Sequence, residues 1–67
     1  MKYKINKEKF KKAILNSGLT VVNLAKKAKV SRQTIYRILR EDSAFSGYII
    51  SRLSKELDVD IEELIEE

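Results

Sequence analysis

A chain of 67 residues with 14 basic and 10 acidic side chains, no histidine and no cysteine has room for one small core and lacks the parts for several chemistries. Without imidazole it has neither the usual general base nor the commonest metal ligand; without thiols it has no disulfide and no thiolate metal site. The charge is unevenly placed: residues 1–40 hold nine lysines and three arginines against Glu8 alone, while residues 41–67 hold Arg52 and Lys55 against nine acids, so a polyanion would meet one half of the chain and avoid the other.

The first stretch, "MKYKINKEKFKK", has no hydrophobic region behind its charges and no later apolar run approaches a membrane span, which leads us to expect a soluble, intracellular protein with no membrane partner. "MKYKI" is at most a short extended arm, and no stretch alternates well enough to predict a strand. Helices are then announced five times by one device, in which an apolar residue precedes a capping Asn, Thr, Ser or Asp and a second apolar residue follows five positions later. Ile5-Asn6 with Phe10 opens a helix over 7–17, whose apolar face is Phe10, Ala13 and Ile14. Leu19-Thr20 with Leu24 opens 21–28, with Leu24, Ala25 and Ala28 on one side; Val30-Ser31 with Ile35 opens 32–40, with Ile35, Ile38 and Leu39. Phe45-Ser46 with Ile50 opens 47–57, striped by Ile49, Ile50, Leu53 and Leu57, and "EDSAF" before it is the longest connection. Val59-Asp60 with Leu64, reinforced by Glu63 as a capping box, opens a last helix over 61–66. Absent proline and only two glycines agree with an all-α chain. No linker divides it, so residues 1–67 are expected to form a single domain.

The second and third helices are short, and only the turn around Lys29-Val30-Ser31 separates them. That is the spacing of a helix-turn-helix unit, here about 20–40, whose second helix lies in the DNA major groove. If Ile35, Ile38 and Leu39 face the core, then Arg32, Gln33, Tyr36, Arg37 and Arg40 face away from it. Arginine can bond guanine at O6 and N7, and glutamine can bond adenine at N6 and N7; the alternative for each is a plain solvated surface residue.

"GLTVVNLAKKAKVSRQTIYRILR" resembles the Cro and lambda-repressor-like helix-turn-helix family, also called the xenobiotic-response-element (XRE) family, through Gly18-Leu19-Thr20, Leu24-Ala25 and Val30-Ser31; "LSKELDVDIEELI" resembles the family's last two helices. The likeness runs from about Phe10 to Ile65. It implies a compact five-helix bundle of the lambda-repressor-like type. Three positions depart from the family pattern: Val21 stands where glutamine often supports the recognition helix, and Lys29 and Asp58 stand where glycine commonly ends a helix.

The resemblance places Arg32 and Gln33 at the N-terminal base-reading positions of the third helix and Arg37 one turn on, with Tyr36 set to stack on a sugar or touch a thymine methyl. Thr20, Ser31, Arg40, Ser43 and Ser46 become candidate phosphate contacts, and Lys2 and Lys4 would add affinity without sequence preference. It further implies a sequence-specific double-stranded DNA-binding transcriptional regulator, a Cro-like repressor of phage, prophage or mobile-element type, pairing as a homodimer on a near-palindromic operator. The run "FSGYII" is read first as core, with Phe45, Tyr48 and Ile49 partly spare for a pairing contact, and the resemblance adds Ile61 and Ile65 as pairing candidates. No cofactor, metal or small-molecule ligand is expected. An antitoxin-like or anti-repressor protein-interaction module on the same fold is the alternative; it would more naturally place apolar anchors than arginines on the third helix. RNA binding ranks third because exposed aromatics are few. Enzymatic activity ranks last, since the serines have no histidine to activate them.

Overall fold

Four of the helix starts are fixed by a side-chain oxygen that accepts a backbone N–H three residues on, as the sequence predicts. In the computed structural model, which describes residues 2–41 and 44–66, Asn6 Oδ1 accepts from Lys9, Thr20 Oγ1 from Asn23 and Ser31 Oγ from Thr34, each at 3.1 Å, and Ser46 Oγ accepts from Ile49 at 3.3 Å. The helices they open are α1 (Lys7–Ser17), α2 (Val21–Ala28), α3 (Arg32–Arg40) and α4 (Gly47–Leu57). The apolar residues of the staples meet in one core: Phe10, Leu24, Ile35, Ile38, Ile50, Leu53 and Leu64 are fully buried, and Ile5, Phe45 and Leu57 nearly so. Burying such side chains contributes about 1.5–3 kcal/mol each, so these contacts hold the four helices in register.

The fold is mostly helical but not all-α, and a five-helix bundle is not what forms. Lys2–Lys4 is a strand, β1, antiparallel to β2 (Ala44–Ser46), with Lys2 opposite Ser46, Tyr3 opposite Phe45 and Lys4 opposite Ala44. The expected arm is therefore paired, and the expected loop "EDSAF" gives its last residues to a sheet. The expected helix over 61–66 is a single 3-10 turn at Ile61–Glu63. The expected capping box does form between Asp60 and Glu63, the Glu63 carboxylate accepting the Asp60 N–H at 2.8 Å. The turn stops because the following backbone is drawn to β1: the Asn6 N–H donates to the Leu64 carbonyl at 2.7 Å, the Glu66 N–H donates to the Lys4 carbonyl at 2.9 Å, and Ile65 bridges Ile5. The two ends of the chain thus clasp one another.

Lys29 and Asp58 adopt the left-handed conformation that glycine normally supplies, with φ of 58° and 57°. Both end helices in the same way. The Val30 N–H reaches back to the Ala25 carbonyl at 3.1 Å and the Val59 N–H to the Ser54 carbonyl at 3.0 Å, closing the carbonyls a helix C-terminus leaves open. The turn between α2 and α3 therefore carries strain on Lys29, about 1–2 kcal/mol for a residue with a Cβ. Arg52 of α4 buttresses it: its Nε donates to the Ala28 carbonyl at 3.0 Å, its Nη1 donates to the Tyr48 hydroxyl at 2.8 Å, and its guanidinium lies 4.8 Å from the Tyr48 ring centre.

Candidate nucleic-acid interface

Helix α3 sorts its side chains sharply. Ile35 and Ile38 are buried and Leu39 half-buried, while Arg32, Gln33, Tyr36, Arg37 and Arg40 are exposed. The expected inward and outward faces are therefore the observed ones. The helix packs against α1 and α2, whereas the acidic 3-10 turn packs against α4. At its start, the Ser31 hydroxyl both caps the helix and lies 2.9 Å from the Thr34 hydroxyl. At its end, the Lys7 Nζ donates to the Arg40 carbonyl at 3.5 Å.

Arg37 is the most constrained of the outward side chains. Its Nε lies 3.6 Å from Glu41 Oε2, and its guanidinium carbon lies 5.5 Å from the centre of the Phe45 ring. Arg37 and Glu41 are both about half exposed, at 53% and 52% of their side-chain surface, so the pair is screened and weak in energy.

The candidate phosphate contacts are distributed over the elements beside α3. Thr20 caps α2 and is exposed; its hydroxyl accepts the Asn23 N–H and keeps its own proton to donate. Val21, where the family often has glutamine, is half-buried and packs on the core. Ser46 caps α4 and stands opposite Lys2 across the sheet, so these two candidates are brought together; Lys4 stands opposite Ala44. Ser43 lies outside the described residues. Lys2 and Lys4 are exposed and, two apart on a strand, share a face.

Of the residues weighed for pairing, Phe45 is only 5% exposed and belongs to the core, which is the first expectation for its run: it is the staple residue of α4 and the cross-strand partner of Tyr3. Ile49 and Ile65 are half-buried against the core. Tyr48, at 69% exposed, and Ile61 remain open to solvent. Sequence reasoning missed Glu41, Phe45 and Arg52 as supports of the site. The four-residue step from Arg37 to Glu41 was readable; the contacts of Phe45 and Arg52 depend on how distant segments pack.

Two short helices joined by a tight turn, the second with a polar and cationic outer face, define a helix-turn-helix protein, and the model of the family described as helix-turn-helix matches residues 10–64. The chain belongs to that family, in its XRE-type branch, and is a DNA-binding regulator. Among solved structures it is similar to the restriction-modification controller protein C.AhdI from Aeromonas hydrophila, with a TM-score of 0.76 and 21% identity over 85% of this chain and 86% of that one; at that identity the likeness speaks for the fold. No curated protein matches the chain.

Proposed function

We propose that the chain is a sequence-specific double-stranded DNA-binding transcriptional regulator, a single-domain Cro-like repressor of the phage, prophage or mobile-element kind, acting in the bacterial cytoplasm without cofactor or catalysis. Helix α3 lies in the major groove, where Arg32, Gln33, Tyr36 and Arg37 meet base edges. Thr20, Ser31, Arg40, Ser43, Ser46, Lys2 and Lys4 hold phosphates. The observation that carries this reading is the outer face of α3, which bears three arginines, a glutamine and a tyrosine over a buried Ile35–Ile38 stripe. Its start also favours anions, since helix N-termini carry partial positive charge. The structural neighbour is a restriction-modification controller protein, which supports regulation over enzymatic action.

The protein acts by occupancy: bound to a promoter it excludes or recruits the polymerase. It pairs as a homodimer on two half-sites about 34–36 Å apart, with Tyr48 and Ile61 as the exposed residues among the pairing candidates. Selection of bound duplexes from a random pool at physiological salt tests this. A recurring motif whose affinity falls steeply with added salt is expected. Binding that is indifferent to both sequence and salt would exclude the reading.

A further inference from the structure

We propose that Glu41 is a specificity-positioning residue, which together with the Phe45 ring fixes the Arg37 guanidinium so that its terminal amino groups meet one guanine. The proposal rests on the reading above, that α3 enters the major groove. An exposed arginine samples many rotamers, and reading a base through two parallel bonds requires one of them. Here the choice is narrowed from two sides. Glu41 Oε2 approaches Nε at 3.6 Å, and the Phe45 ring lies 5.5 Å from the guanidinium carbon, within the range of a cation–π contact. Neither support occupies the Nη groups, which make no hydrogen bond among the described residues.

The two supports differ in rigidity. Phe45 is buried and held by its pairing with Tyr3, so the small sheet reaches the base-reading side chain through it. Glu41 follows the last helical residue in extended conformation, its N–H bonded to the Arg37 carbonyl at 2.8 Å. Main chain and side chain of Glu41 thus both engage Arg37. An acid on a face meant for a polyanion weakens binding to every duplex equally through charge repulsion. Orientation of Arg37 is a gain that offsets this on the correct base alone, so the two roles can be separated by measurement.

The test is a double-mutant cycle of Arg37→Ala, Glu41→Gln and the double variant. Each is titrated with a duplex selected by the wild-type protein and with its single-base-pair variants, and folding is checked by thermal melting. The base pair at which Arg37→Ala loses preference defines the contact. At that pair, Glu41→Gln is expected to lower discrimination by about two- to fivefold, the scale of an exposed ion pair, while raising affinity for unrelated duplexes. In the Arg37→Ala background the Glu41 change should leave discrimination unaltered, and Glu41→Asp should retain part of it. If Glu41→Gln strengthens all duplexes by the same factor, with discrimination intact, the positioning role is overturned though the groove reading stands. If Arg37→Ala alters preference at no pair, base reading by Arg37 fails and the positioning role falls with it.

Discussion

Gln33 and Arg37 differ from Lys4 in what their loss should do, although all three are exposed polar side chains on the basic half of the chain. A bidentate base contact discriminates, whereas a lysine near phosphate does not. Gln33→Ala and Arg37→Ala are each expected to weaken a selected site by about 1–3 kcal/mol and to relax preference at one or two base pairs. Lys4→Ala should weaken all sequences alike and reduce the salt slope by about 1. Anisotropy titrations on the selected duplex, on its variants and at several salt concentrations separate the two patterns. If Lys4→Ala matters while the α3 changes do not, the assignment of roles is wrong. At the same scale, Lys29 stores strain: with φ at 58°, Lys29→Gly should stabilise the fold by about 1 kcal/mol or less, because the relief is partly offset by the greater freedom of glycine in the unfolded chain. Urea unfolding measures it; a net loss of stability would mean the Lys29 side chain makes contacts that outweigh its backbone strain.

Among the elements, the helices were legible in the sequence because their signals are local. Asn6, Thr20, Ser31 and Ser46 each cap within three residues, and their staples close within five. Ser31→Ala removes such a cap and is expected to lower stability by about 1 kcal/mol, read by thermal unfolding; an unchanged melting temperature would show that the cap contributes nothing to stability. Arg52→Ala should cost a similar amount, about 1 kcal/mol, for its charged bond to the Ala28 carbonyl at a partly exposed site. The strands were not legible for the opposite reason. Three residues are too few for alternation to register, and Lys2–Lys4 becomes a strand only because Ala44–Ser46 arrives beside it. Nonlocal pairing of Ile65 with Ile5 likewise cut the last helix to one turn. The candidate site divides along that line too: the outward residues of α3 follow from the position of Ile35 and Ile38 in one helix, whereas the setting of Arg37 against Phe45 needs the sheet.

For the molecule as a whole, the charge asymmetry of the sequence is only partly one of space: α3 packs against α1 and α2 and the acidic 3-10 turn against α4, yet the Glu66 N–H donates to the Lys4 carbonyl of β1. A cationic outer face on α3 should still make the association rate with duplex fall as ionic strength rises. The most direct test of the claim that α3 lies in the groove is backbone and side-chain NMR of the labelled protein titrated with its selected duplex. The largest shift changes are expected at the start of α2, along residues 31–40 and at the Gln33 side-chain amide, with Glu62 and Glu63 nearly still. Changes concentrated on α4 and the acidic turn, with α3 silent, would contradict the account.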